Sequence, residues 1–577
     1  MNLKYRPEID GLRTLAVLSV LIYHAEFYLR NHQVLKGGFL GVDVFFVISG
    51  YLITSLIIGE YKKYGRFSIT NFYERRARRL LPALLIVMLA SIPFAWSLLL
   101  PTQLTDYSKS LISSIFFGSN FYWHFSLQEY GNELALLKPF LHTWSLAVEE
   151  QYYIVFPLIL LAIYRFLNKY IFICLALGIF SSLLFAEFTS SHDQSFSFYM
   201  LPSRAWELLT GALLAHHLTT NKLNHQNKVL IVSMPILGIS LIAYSVGFLE
   251  YNSNHPGFIT LLPVMGTILV IWFCNDASII GKILSSRLFV GIGLISYSLY
   301  LWHYPIFAFS RINDTSPDNT DKFFWITLTF ALSIASYKMI EKPFRNKNTI
   351  ATTTALSALI LSVAALTIFS IYTIQKDGVK ERFGNLTEIY GINEFDNKIL
   401  GRQTWTLLKT LAEAHGYKNI KSFEKNALSF SKDISKKKVL IVGNSHGRDM
   451  FNALYQNSDL FEGLDFARFG IQIGAPKTQI DKLFSSPNFK AADLIIISSR
   501  YNENKKRKGY GSDIKSLPKF IDKLKNAKKE VIVSSYSVEF KNVDKKPIFD
   551  WYIQNKLAIK FSLIELEKIH FSNRKMF

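Results

Sequence analysis

Up to about residue 374 the chain reads as long apolar runs separated by short polar loops. Runs of spanning length fall at about 11–30, 38–58, 80–99, 144–165, 170–187, 203–219, 229–248, 257–274, 288–309, 323–342 and 351–373. A helix of about 20 apolar residues crosses a hydrocarbon layer of about 30 Å. A twelfth run, about 108–124, is broken by Ser108, Lys109, Ser113, Ser114, Ser119, Asn120 and His124. Past about residue 375 the pattern changes. Residues 375–435 read as a polar linker. Then Lys438–Val442, Asp493–Ile497 and Glu530–Val533 form short β-branched runs, and 448–456 has a helical pattern after the turn Gly443-Asn444-Ser445-His446-Gly447. Strand, turn, helix, strand predicts a doubly wound parallel sheet. The expected fold is a polytopic α-helical membrane domain of about 11 transmembrane helices, followed by an α/β domain.

Basic residues choose among topologies, because loops left in the cytoplasm are enriched in Lys and Arg. With the N-terminus inside, the loop 59–79 is also inside and carries Lys62, Lys63, Arg66, Arg75, Arg76, Arg78 and Arg79. If 108–124 does not cross, Arg165, Lys169, Lys222, Lys228, Lys282, Arg287, Lys342, Arg345 and Lys347 all fall inside as well. If it crosses, the bias inverts. The run is therefore expected to be re-entrant or interfacial, which is tolerated where protein covers the polar backbone. Eleven crossings leave the N-terminus cytoplasmic and the C-terminal domain extracytoplasmic. This bias absorbs the formal net charge of +21, so the charge calls for no nucleic-acid partner. Only Cys174 and Cys274 occur, which gives the C-terminal domain no disulfide framework. Lys4, Arg6 and Arg13 precede the first apolar run as in a signal peptide, but no small-x-small cleavage site follows, so the segment reads as a retained first helix. No metal site is expected.

Ionisable groups inside apolar spans point to function by default. Arg13 and His24 lie on the first span, close to three turns and about 16 Å apart on one face. Arg13 also suits a topological anchor. Asp43 in the second span needs a partner: His24, whose imidazole it would orient, or an arginine in a structural pair. Arg75, Arg76, Arg78 and Arg79 crowd the start of the third span, and arginine forks suit phosphates. His142, Ser145 and Glu149 share a helical face at i, i+3, i+7. Arg204 and Glu207 open another helix. Ser296, Tyr300 and His303 share a face of the ninth span. Each group alone could be a polar clasp between helices.

Taken in order, Arg13-x10-His24, FLGVDVFFVISGYLIT (39–54), FYERRARRLLPAL (72–84), FLHTWSLAVEEQYY (140–153), PSRAWELLTG (202–211), ISYSLYLWHYPI (295–306) and IEKPFR (340–345) resemble acyltransferase family 3. The resemblance covers about residues 5–346 and implies a bacterial inner-membrane O-acyltransferase. Its co-substrate would be cytoplasmic acetyl-CoA, with no bound cofactor. Its acceptor would be an extracytoplasmic glycan such as lipopolysaccharide O-antigen or peptidoglycan. On this reading Arg13, His24, Asp43 and Glu149 are catalytic candidates, and the four arginines bind acyl-CoA. His142, Ser145, Arg204, Glu207, Tyr300 and His303 are further membrane-site candidates.

The stretch GNSHGRDM (443–450) resembles the first block of an SGNH hydrolase, with Ser445 in the nucleophile position and Asn444 where Asp is more usual. A fusion of this kind is known in the family. Gly470, Gly474 and Arg500 are oxyanion candidates. The Asp-x-x-His that supplies the base is missing before Phe577, since His570 has no Asp three residues earlier. The domains expected are 1–348 (acyltransferase), 349–374 (an additional transmembrane helix), 375–435 (an extracytoplasmic linker) and 436–577 (SGNH-like, C-terminally incomplete). A transporter of donor or glycan precursor and a membrane-tethered esterase are the competing functions.

Overall fold

The computed structural model describes residues 5–30, 32–127, 135–220, 228–250, 254–275, 278–314, 317–383, 397–431, 433–456, 458–499 and 513–534. They fall into two compact units, divided between Phe383 and Asn397.

The first unit is helical. Its helices are α1 (Pro7–Ala25), α2 (Gly41–Tyr64), α3 (Ile69–Leu98), α4 (Pro101–Ile115), α5 (Ser119–Ser126), α6 (Thr143–Phe166), α7 (Ile171–His192), α8 (Gln194–Tyr199) and α9 (Leu201–Thr220). There follow α10 (Lys228–Phe248), α11 (Leu261–Phe273), α12 (Ile279–Leu284), α13 (Arg287–Leu294), α14 (Ser296–Asn313), α15 (Asn319–Ser336), α16 (Lys342–Arg345) and α17 (Thr352–Gln375). Local signals set several ends. Pro7 opens α1, where its missing N–H costs nothing. The Ser68 hydroxyl accepts from the Asn71 amide (3.3 Å) and caps α3. Gly65 ends α2 at φ +66°, a conformation a side chain would strain.

Among the described residues, seven helices are long and apolar enough to cross a membrane. They contain α2, α3, α6, α7, α10, α15 and α17. The remaining predicted spans are helical too, but less apolar, shorter or broken: the run 288–309 divides at Ile295 into α13 and α14. α1 carries Glu8, Asp10 and Arg13, α9 carries Arg204 and Glu207, and α11 has 13 residues. The run 108–124 is not one helix. It breaks at Phe116–Gly118, between α4 and α5, where Phe117 takes φ 51°. The 15 residues of α4 rise only about 22 Å. Two of its serines are paired inside protein: Ser108 with Thr373 (2.5 Å) and Ser114 with Thr143 (2.7 Å).

Helices α2 and α9 approach almost backbone to backbone. A Cβ on Gly50 would lie 1.9 Å from the Leu208 carbonyl oxygen, and one on Gly211 2.0 Å from that of Val47. Within a membrane, where lipid tails are as apolar as leucine, such close packing supplies the attraction between helices.

The second unit is α/β. It runs α18 (Asn397–Ala414), α19 (Ile420–Asn426), β1 (Lys437–Gly443), α20 (Ser445–Gln456), β2 (Leu464–Gly470), α21 (Lys477–Ser485), α22 (Pro487–Ala491), β3 (Leu494–Ile497), α23 (Asp513–Asn526) and β4 (Glu530–Val533). The sheet is parallel, ordered β2-β1-β3-β4. Helices cover both faces. Leu408 and Phe451 pack with Val439, Ile441 and Phe466 on one side; Leu483, Phe520 and Leu524 pack with Leu440, Val442 and Ile495 on the other. Two sequence expectations are corrected. The presumed linker holds α18 and α19, which belong to this unit's core: amphipathic helices with many lysines look polar on average. Strand β2 escaped notice because Asp465 and Arg468 interrupt its apolar run; Arg468 is buried against Glu424.

Candidate active site

A cavity of about 300 Å³ lies among α1, α2, α3, α6 and α14. Arg13, Arg75, Arg76 and Arg79 line one part of it, together with Ser49, Glu149 and Tyr153; Ser145, Ser296 and Tyr300 line another. The arginines are held differently. Arg75 pairs with Glu60 (2.9 Å). Arg76 pairs with Glu150 (3.0 Å) and lies 4.0 Å over the Tyr153 ring. Arg13 pairs with Asp10 (3.1 Å). Arg79 makes no ion pair among the described residues; Arg13, Arg76 and Arg345 are near enough to repel it, and Glu150 and Glu341 attract it from farther away. A cation facing a cavity among other cations is a site for an anion.

Arg78 departs from the sequence expectation that all four arginines face one ligand. It is 3% exposed and its guanidinium is fully engaged: with Glu74 (3.1 Å), the Phe344 and Ile350 carbonyls (3.0 Å each) and the Thr352 hydroxyl (2.8 Å). It ties α3 to the α16–α17 junction. One helical position turns a side chain by about 100°, which separates Arg78 from its neighbour Arg79.

Glu149 accepts from Ser49 and from the Tyr153 hydroxyl (2.5 Å). The Ser145 and Tyr300 hydroxyls meet at 2.6 Å at the edge of the cavity. Behind Tyr300 lie three histidines. His24 Nδ1 is 3.2 Å from His303 Nε2. The His142 and His303 rings are 5.4 Å apart in an edge contact. His142 stacks on Tyr304 at 5.3 Å. So Ser145, Tyr300, His142 and His303 gather where the start of α6 meets α14, Glu149 turns to Ser49 of α2, and His24 joins from α1. Arg13 faces the cavity, whereas His24 does not line it.

Asp43 is not His24's partner, contrary to one sequence reading. It is fully buried, and Arg204 Nη1 donates to it (2.7 Å) and to Glu207 (2.9 Å). His255 Nε2 lies 3.0 Å from the same Asp43 oxygen. Phe46, Trp144 and Phe198 surround the guanidinium at 5.2–5.8 Å. The arginine alternative holds: a buried carboxylate takes the nearest fixed cation. Asp43, Arg204 and Glu207 thus form a separate clasp outside the cavity lining.

Sequence reasoning missed His255, Glu150, Ser49 and Arg311. Arg311 donates to the carbonyl of His24. None stands in a spacing pattern, and only tertiary packing brings them in. The described residues contain no cluster able to hold a metal ion.

In the second unit, Ser445 begins α20 where β1 ends, and it is half-buried. No histidine among the described residues hydrogen-bonds its hydroxyl. The Gly470 amide, an expected oxyanion donor, instead donates to Glu424 (3.1 Å). Burial holds the Glu424 carboxyl above its usual range, against the opposing pull of Arg468. Gly474 lies in the turn after β2. Arg500 and His570 lie outside the described residues.

The chain is a multi-pass membrane protein with an arginine-lined cavity among its helices. It belongs to the acyltransferase-domain family Acyl_transf_3, which it matches over residues 6–337. It is similar to "Peptidoglycan O-acetyltransferase OatA" of Listeria monocytogenes, 32% identical over 354 residues, which cover 59% of this chain and 56% of that protein. It is also similar to "O-acetyltransferase OatA" of Staphylococcus aureus, 34% identical over 363 residues, covering 60% of this chain and 58% of that protein. The chain therefore spans a little over half the length of these relatives. No solved structure matches it.

Proposed function

We propose that this protein is a transmembrane O-acetyltransferase. It moves an acetyl group from acetyl-CoA on the cytoplasmic side to a hydroxyl of a cell-surface glycan, peptidoglycan or lipopolysaccharide O-antigen. The carrying observation is that Arg13, Arg75, Arg76 and Arg79 line one cavity, Arg79 without an ion pair among the described residues. Phosphates would meet these forks. The relatives' names support acetyl transfer and a cell-wall acceptor. The setting is the bacterial cytoplasmic membrane, with the eleven-crossing topology argued from the loop charges.

His24 acts as the general base. Its ring takes the acceptor's hydroxyl proton as that oxygen bonds to the thioester carbonyl carbon. The carbon–sulfur bond breaks, and the proton passes to the departing thiolate. His24 ends unchanged. Tyr300 lines the cavity and touches both His142 and His303, so the thioester would approach the histidines past it. The test is His24→Ala in membranes supplied with labelled acetyl-CoA, with glycan acetylation read by mass spectrometry. Acetylation should vanish while the protein still inserts; undiminished acetylation would sink the proposal.

A further inference from the structure

His24 needs a group that fixes its tautomer, and Asp43 is committed elsewhere. We infer that His303 is the positioning residue for His24, holding it with Nδ1 protonated and Nε2 free to take a proton. This inference rests on the reading of His24 as the base.

One contact distinguishes the two nitrogens of His303. His303 Nδ1 lies 2.6 Å from the Tyr300 carbonyl oxygen. A carbonyl only accepts, so Nδ1 carries the hydrogen. In the neutral ring Nε2 is then the acceptor. Its neighbour at 3.2 Å is His24 Nδ1, which must donate. His24 Nε2 is left with its lone pair. One backbone carbonyl on α14 thereby sets the protonation pattern of a ring on α1, as an acid sets it in a catalytic triad.

Packing keeps the relay in place. His303 is fully buried, with Tyr300, Tyr304 and Phe307 at ring distances of 5.3–5.8 Å. Rotating its ring would leave the buried Nδ1–H without its acceptor, at a cost of about 1–3 kcal/mol. His24 stacks on His303 at 5.3 Å and meets the edge of Tyr304 at 5.0 Å. Its backbone is also pinned: Arg311 donates to the His24 carbonyl, and Lys322 to that of Glu26 (2.7 Å). The last turn of α1 is thus held against α14 and α15.

The test pairs kinetics with a direct view of the tautomer. His303→Phe keeps the ring's bulk and removes the acceptor. It should lower kcat by about 100-fold or more and leave the KM for acetyl-CoA within about twofold of wild type, because the arginines are untouched. His303→Gln places Oε1 near the position of Nε2 and should recover much of kcat. In 15N-histidine-labelled full-length protein in bilayers, with the His24 signals assigned by their loss in His24→Ala, wild type should show Nδ1–H and bare Nε2. His303→Phe should shift His24 toward the Nε2–H tautomer. Full kcat in His303→Phe, with His24→Ala inactive, would overturn the positioning role and leave the proposed function standing. Retained activity in His24→Ala would instead remove the proposed function itself. If His303→Phe does not insert, a wild-type His24 carrying its hydrogen on Nε2 overturns the inference alone.

Discussion

Neighbouring arginines in one short run do different work. Arg79→Gln removes a cation that faces the cavity. It should raise the KM for acetyl-CoA by about 10–100-fold, the worth of one hydrogen bond to a charged group, with little loss of thermal stability. Arg78→Gln should do the reverse. It strands the Phe344 and Ile350 carbonyls, at about 1–3 kcal/mol, so the melting temperature in detergent should fall while KM stays near wild type. Equal effects of the two on KM would mean that the run acts as undivided charge. The sequence already displayed the residue types, because ionisable groups in apolar spans stand out against their background. It did not display the partners. Asp43 and Arg204 are 161 positions apart, and whether Asp43 meets Arg204 or His24 depends on how each helix is rotated about its axis. The helical repeat was more informative. His142, Ser145 and Glu149 do face α14 or α2, because i, i+3, i+7 spacing survives whatever the helix packs against.

Among elements, the α2–α9 contact is the tightest test of packing. Gly50→Ala places a methyl 1.9 Å from the Leu208 carbonyl oxygen, so the backbones must part. A cost of about 1–3 kcal/mol is expected, seen as a lower melting temperature, and Gly211→Ala should behave alike. Unchanged melting in both would mean that these helices stand farther apart. Long helices and apolar strands were legible from the chain because their signals are local. What local pattern concealed were elements whose polarity is offset by partners: β2, with Arg468 against Glu424, and α18 and α19, with one apolar face each. The α20 N-terminus gives its own prediction. Ser445 has no base among the described residues, so the purified protein should hydrolyse a small acetyl ester weakly or not at all, and serine-reactive probes should label Ser445 poorly. Strong hydrolysis that disappears in Ser445→Ala would reveal a base elsewhere in the chain, with His570 the first to substitute.

For the whole molecule, the open quantity is the parity of crossings. Seven helices qualify as spans by length and composition; α1, α9 and α13–α14 qualify only if their polar residues are sheltered by protein, and α11 is apolar but short. The structure supplies that shelter: Glu8, Arg204, Glu207 and His303 are buried among other helices. Intramembrane charge is tolerated where it faces a bundle interior and finds partners. The proposed topology counts those four with the seven, eleven crossings in all, with α11 lengthened by the turn before it to Phe258–Phe273. Helices α4 and α5 then remain on one side: α4 carries Asp106, Lys109 and several serines, and α5 has only 8 residues. In that topology an odd number places the two ends of the chain on opposite faces, and the arginines early in α3 favour a cytoplasmic N-terminal face. A reporter active only outside the cytoplasm, fused after Phe577, should therefore be active, and the same reporter placed after Gly65 should be silent. Silence at both positions would make the number of crossings even and return the second unit to the cytoplasm. The acetyl group would then need no protein partner on the outer face, and the acceptor would have to be sought among glycan precursors on the inner side.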